Sequence, residues 1–364
     1  MHLMDILRYR PVPGSAVYLA LTRRCPLTCR HCSTASLLNS EEHDAELFLG
    51  FARTFTAEDH PEVVLMSGGE ALLRPRLVGE IARQARAVGT RSYLGSGMYF
   101  ARSKRIPRPI REAISQVDHF AVSLDVFHEE QVPRGAVLAV LRELVEDGKD
   151  VSIQIVGMSD DDPYLADATA HVRDALGDRV PMLVGLVGAT GRAADWLQVR
   201  RNLTHLPLSV LAQPCGVAAW PIVSFDGTVI ACCNQHVVDL GRRAPAHLVL
   251  GHSSRDSWQT IRSRTRASAA LRAVRTFGPR YVAQEIGVRV DDEQCTACYG
   301  LSAPEAERGI ADLVARPAFP VLEEGVGRIL QSGGPPAFAR RYGSRRYAEL
   351  VTLGYKSREQ PCVA

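Results

Sequence analysis

Three cysteines fall within eight residues near the start of the chain, in the stretch CPLTCRHC, at Cys25, Cys29 and Cys32. Thiolates this close together are ligands for a metal or an iron–sulfur centre, because one short loop can wrap several sulfurs around it. The next cysteine is Cys215. A structural zinc takes four ligands and a closed iron–sulfur cube takes four thiolates. The trio therefore either belongs to a zinc knuckle completed from elsewhere or holds a cube with one iron left open. An open iron can chelate a small molecule through an amine and a carboxylate.

The remaining cysteines are Cys215, Cys232, Cys233, Cys295, Cys298 and Cys362, so an empty interval separates two groups, as if two parts of the chain built two sites. In a reducing compartment such groups are ligands sooner than disulfides. The chain has 364 residues, 46% of them hydrophobic, enough for a large core with a smaller appended domain. Its net charge of +3 gives no reason to expect nucleic acid as a partner. The apolar runs VYLALT and MLVGLVG fall well short of the ~18 residues of a membrane span, and no signal peptide pattern precedes them. A cytoplasmic protein with no membrane partner is the expectation.

Something must position these thiols. Strands are expected at 16–21, 62–66, 91–95, 119–124, 151–156 and 181–187, where β-branched or apolar runs are short. Amphipathic helical patterns lie near 42–56, 74–88, 107–115, 130–147 and 163–176. Strands alternating with helices predict an α/β fold with a parallel sheet curled into an open, partial (β/α)6 TIM-like barrel. In such sheets reactive groups gather at the carboxyl ends of the strands. The loops TRRCPLTC, SGGE and DVFHEE all begin where an expected strand ends. Beyond about residue 192 the pattern changes to a short hairpin turning at Asp226-Gly227, a basic amphipathic segment over 254–275 and a helical tail. LTHLPLSVLAQP reads as a linker.

Cys-x3-Cys-x2-Cys after a first strand resembles the signature of the radical SAM enzymes. The resemblance runs over roughly residues 14–195. It implies that Cys25, Cys29 and Cys32 hold a [4Fe–4S] cluster whose open iron binds S-adenosylmethionine (SAM), and that reductive cleavage yields a 5′-deoxyadenosyl radical. Ser67-Gly68-Gly69-Glu70 is similar to the family's loop over the methionine amino group, which assigns Gly68, Gly69 and Glu70 to SAM. VSLDVFHE matches the family's place for polar groups near ribose and methionine, which adds Ser123 and Asp125; the bland reading of these two is a strand end capping the next helix. His31, before the last cysteine, would stack near the adenine, and GATGRA (188–193) resembles a stretch near the adenosine. His128 reads as a helix-start residue.

Cys215, Gly227 and Cys232 are spaced like the opening of the SPASM and twitch domains appended to many radical SAM enzymes, and LGHSSRDSWQTIRSR resembles their later segment. The resemblance implies a twitch-like domain over 210–300, with a second, auxiliary [4Fe–4S] cluster on Cys215, Cys232, Cys295 and Cys298, then a helical extension over 301–364. Four thiolates could also hold zinc. Cys233 reads as a substitute ligand, as a hydrogen-atom donor facing substrate or as a small buried hydrophobe; Cys362 reads as a tail residue. The expected reaction is a tailoring oxidation or other C–H functionalisation in natural-product biosynthesis, on an amino sugar or aminocyclitol that the acidic run SDDDPY (159–164) could meet. The alternatives are a maturase acting on a ribosomal peptide by epimerisation or cross-linking, and a non-catalytic iron–sulfur or zinc-binding protein. The resemblance further implies an electron donor such as flavodoxin or ferredoxin.

Overall fold

Apolar residues at alternate positions of short strands need a helix layer on one side, and the chain supplies it between every pair of strands. The computed structural model describes residues 1–103, 105–197, 213–289 and 294–356, so the expected linker lies largely outside the described residues, and Cys362 wholly so. Strands β1 (Ala16–Ala20), β2 (Val63–Ser67), β3 (Arg91–Ser96), β4 (His119–Ser123), β5 (Val151–Gly157) and β6 (Met182–Leu186) pair in parallel in sequence order. Each falls on an expected strand. Helices Pro75–Ala87, Arg108–Gln116, Arg134–Glu146 and Pro163–Leu176 lie in the crossovers. The last shows how sequence sets a boundary. The Asp162 carboxylate accepts from Tyr164 N–H, proline occupies the first turn, and Gly177 stops the helix at φ 66°.

Strand register sorts the side chains into two layers. Leu19, Met66, Leu94, Phe120 and Ile153 are fully buried against the helices in the main core. Tyr18, Leu65, Ser67, Tyr93, Ala121, Ser123, Gln154 and Leu183 point the other way and line an interior cavity of about 820 Å3. At its floor the His119 and Tyr93 rings stack at 5.3 Å, and the His119 nitrogens meet Ser152 Oγ at 2.7 Å and Met1 O at 2.9 Å.

The barrel stays open, since β6 does not pair with β1. The free edge of β6 takes one hydrogen bond from Ser344 N to Val184 O (2.8 Å). Helix Leu3–Leu7 and helix Gly334–Tyr342 pack there through Leu3, Leu7, Ala339 and Leu183. On the other side β7 (Ile222–Val223) pairs in parallel with β1, and β8 (Thr228–Ile230) and β9 (Val249–His252) continue the sheet antiparallel. The β7–β8 turn is the expected one: Gly227 has φ 86° and Asp226 Oδ1 accepts from Thr228 N–H at 2.9 Å. The appended part therefore extends the barrel sheet. Helices Trp258–Ala267, Ala269–Phe277, Gln294–Gly300, Pro304–Ala315 and Phe319–Ser332 follow. No helix among the described residues is long and apolar enough to cross a membrane.

Candidate functional site

The loop after β1 carries the thiol trio, and three other loops are built to fit it. Gly69 N–H donates to Thr22 O at 2.7 Å and Glu70 N–H to Arg24 O at 2.8 Å, zipping the loops after β1 and β2 together. A Cβ on Gly68 (φ 136°) or Gly69 would stand 2.4 Å from a backbone oxygen of that neighbouring loop, so only glycine fits. Gly191, after β6, repeats this at φ 55°, where a Cβ would stand 2.3 Å from Cys32 O. The following residue fastens the third edge: Arg192 Nε donates to Cys29 O (2.9 Å) and its Nη1 to Ser36 O (2.8 Å).

The trio's sulfurs have polar neighbours of their own. Leu27 N–H stands 3.4 Å from Cys25 Sγ, Gln131 Nε2 3.5 Å from Cys29 Sγ, and Thr34 Oγ1 3.2 Å from Cys32 Sγ. Burial pushes the Cys25 thiol up to about 12; a bound metal supplies the positive charge that returns such a thiol to thiolate.

Not all the residues assigned to SAM face the cavity. Gly68, Gly69, Ser123, Asp125 and His31 line it, as do the three thiols. Glu70 lies beneath. It is fully buried, and its carboxylate accepts from Ser96 Oγ (3.0 Å), Gly97 N–H (2.9 Å) and Leu72 N–H (3.0 Å). Burial pushes its carboxyl up to about 7 against the pull of those donors. Asp125 is the helix cap of the bland reading, with Oδ1 accepting from Phe127 and His128 N–H at 3.0 Å. Its Oδ2 takes His128 Nδ1 at 2.8 Å and stands 3.5 Å from His31 Nε2. Burial lowers the pKa of His31; in His128 the Asp125 hydrogen bond and the Cys29 sulfur outweigh burial and raise it. One face of the His31 ring is stacked on Phe127 at 4.6 Å. Arg192 and His128 also line the cavity; the GATGRA stretch that contains Arg192 was expected near the adenosine without that residue being singled out, and His128 was expected only to start a helix. The available signal was a cation directly after a glycine in a strand-end loop.

The second group also assembles. Cys215, Cys232, Cys295 and Cys298 lie close enough to perturb one another's ionisation, and burial raises Cys215, Cys232 and Cys298, the last to about 12. Half-buried His247 approaches Cys298 Sγ with Nε2 at 3.5 Å and Ser302 Oγ with Nδ1 at 2.8 Å. Cys233 perturbs Cys215 and Cys232 in the same way, and unlike the four it also lines the barrel cavity, with Tyr18, Phe225 and Gln235. The acidic run does not reach the cavity. Asp160 accepts from Ser344, Asp161 pairs with Arg346 and Asp162 caps its helix.

Do these residues fit a cluster and SAM? Among the described residues, one group of His, Cys, Asp and Glu side chains brings its ligand atoms within 4.8 Å of one another, and it is His31, Asp125 and His128, already joined by hydrogen bonding. Neither thiol set converges to the spacing around a single zinc, where sulfurs ~2.3 Å from the ion sit under 4 Å apart. Buried polar atoms without partners also stand at the mouth: Arg192 Nη2 and His31 Nδ1. Both suit a polar ligand.

Residues 19–169 match the Radical SAM superfamily, and the barrel of this chain is a radical SAM domain. That family implies a [4Fe–4S] cluster and SAM. Among solved structures, the chain is similar at 12% identity to Streptococcus suis SuiB bound to S-adenosylmethionine (TM-score 0.48, covering 80% of this chain and 72% of that one). SuiB bound to its precursor peptide SuiA gives 12% identity and TM-score 0.47 over 82% and 73%. Native anSMEcpe with bound AdoMet and Cp18Cys peptide gives 12% and 0.48 over 87% and 99%. No curated protein matches.

Proposed function

We propose that this chain is a radical SAM enzyme that takes a hydrogen atom from an unactivated carbon of a substrate held in the barrel cavity, as a tailoring step in natural-product biosynthesis. The observation that carries this is the continuity of the cavity. One chamber is walled by the thiol trio, by the glycine loop and by Cys233 beside the second thiol group. Cys25, Cys29 and Cys32 would hold a [4Fe–4S] cluster, reduced by a donor such as flavodoxin or ferredoxin. Bound there, the reduced cluster and SAM supply a carbon radical able to abstract hydrogen. The chain's own residues do the rest. Gly68 and Gly69 let backbone approach the ligand, Arg192 Nη2 offers an N–H, and the Asp125 carboxylate orients His128 and His31. Cys215, Cys232, Cys295 and Cys298 would hold an auxiliary [4Fe–4S] cluster, with His247 beside it, able to relay electrons.

The Cys233 thiol on the chamber wall could deliver a hydrogen atom to a substrate radical, the thiyl radical left behind being returned to thiol by one electron from the external donor and a proton from solvent, which favours epimerisation as an outcome. A cationic amino sugar finds little support: among the described residues the one carboxylate lining the cavity, Asp125, is committed to two histidines, and the SDDDPY carboxylates are committed elsewhere.

The test is anaerobic reconstitution with iron and sulfide, then dithionite and SAM. Formation of 5′-deoxyadenosine is expected, with about eight irons per chain falling to about four, and no 5′-deoxyadenosine, when Cys25, Cys29 and Cys32 are all changed to alanine. Zinc without sulfide, or intact SAM, would overturn the reading.

A further inference from the structure

The chamber has a second end. Trp220 Nε1 donates to Ser15 Oγ (3.0 Å), placing that ring beside the start of β1, whereas the thiol loop follows the end of β1. At about 3.3 Å per residue the strand separates the two ends by some 16 Å. The wall here is aromatic and apolar, from Leu7, Tyr18, Leu183, Trp220 and Phe338. One cation faces it. The Arg10 guanidinium stands 4.5 Å from the Trp220 ring centre and 5.7 Å from that of Phe338. Two rings thus hold it by cation–π contact.

Among the described residues no side chain or carbonyl accepts a hydrogen bond from the Arg10 guanidinium, and no carboxylate pairs with it. The other charged lining groups are His31, Asp125, His128 and Arg192, all in the loops at the far end. A half-buried guanidinium that lines the apolar end of the chamber, with no counter-ion among the described residues, is arranged for an anion from outside the chain. Its fork of parallel N–H groups matches a carboxylate.

We infer that Arg10 anchors a carboxylate at one end of an elongated substrate whose other end reaches the thiol-trio side of the chamber. This rests on the barrel cavity being the substrate chamber of the proposed reaction. It makes the substrate an acid, and one longer than a single sugar ring.

Hexanoate and its neutral counterpart hexanamide test this by calorimetric titration into the reconstituted full chain held saturated with SAM, so that Arg192 is already covered. Hexanoate is expected to bind about tenfold more tightly than the amide, and Arg10→Met to abolish the difference while leaving the amide unchanged. Arg10→Lys, which keeps the charge without the planar fork, should keep part of it and serves if the methionine variant does not fold. Equal binding of the two probes, no binding of either, or discrimination that survives Arg10→Met each overturns the inference. The 5′-deoxyadenosine assay on the same samples separates the two readings. A chain that discriminates without cleaving SAM keeps the Arg10 anchor and loses the radical reaction; one that cleaves SAM without discriminating does the reverse.

Discussion

Arg192 shows how much one side chain can join. Two of its nitrogens hold the carbonyls of Cys29 and Ser36, and the third is buried without a partner. A charged donor meeting its acceptor contributes more than a neutral one, so Arg192→Met should weaken SAM binding roughly tenfold by equilibrium dialysis. Iron content measured alongside tells loss of the loop from loss of the contact. Gly191→Ala should be worse, since its Cβ would meet Cys32 O at 2.3 Å on a backbone at φ 55°. Roughly 1–3 kcal/mol of strain is expected, read as a lower melting temperature and lost iron. Cys233 should be alkylated by iodoacetamide in the reconstituted protein while Cys215, Cys232, Cys295 and Cys298 are protected until a chelator strips the iron. Protection of Cys233 would place it among the ligands. The thiols and glycines were legible in the sequence because few chemistries need them at such spacing. Arg192 was legible only as part of GATGRA, and the parts played by His128 and Arg10 were not legible, because an arginine or histidine on a loop carries no sign of what it will face. Glu70 carried the opposite risk: its motif was readable, but its hydrogen bonds run beneath the loop to Ser96 and Gly97.

At the scale of the element, the six parallel strands and their helices were legible because each is a short apolar run between amphipathic stretches, with punctuation such as Asp162-Pro163 and Gly177. β9 was missed: four residues, Val249–His252, inside a stretch that carries no alternation of its own. The strands also set a pH response. His119 on β4 is fully buried between Tyr93 and Ser152, near the Met1 amine, His2 and Asp150, and burial lowers it to about 4. Between that value and the 6.5 of a free imidazole, the unfolded chain binds the proton and the folded chain does not. Stability therefore rises with pH across this window. The contribution is full above pH 6.5 and is lost as pH falls toward 4, in total on the order of 3 kcal/mol. Thermal melts at pH 7.5 and pH 5 should show a steeper loss for the parent chain than for His119→Gln; equal slopes would remove the assignment.

At the scale of the whole molecule, the nine strands among the described residues form one sheet in the order β6-β5-β4-β3-β2-β1-β7-β8-β9. The sequence offered a barrel and a separate appended unit, with a boundary near 195–210. It could not show that β7 docks in parallel on β1, because a two-residue strand has no periodicity and its partner lies some two hundred residues away. A chain ended at residue 197 would bare the outer edge of β1, where Tyr18 N–H now meets Pro221 O at 3.0 Å. Unpaired edges template self-association, so the shortened chain should elute in larger assemblies than the full one on size exclusion.

The joint between β7 and β1 also fixes a length. Rungs of the backbone ladder set the gap from the loop after β1 to the β7–β8 hairpin that carries Cys232. If both sulfur sets hold clusters, as proposed, an electron crossing between them would meet a distance set by the ladder, and tuning that current by evolution would require re-registering it, a far harder change than lengthening a tether.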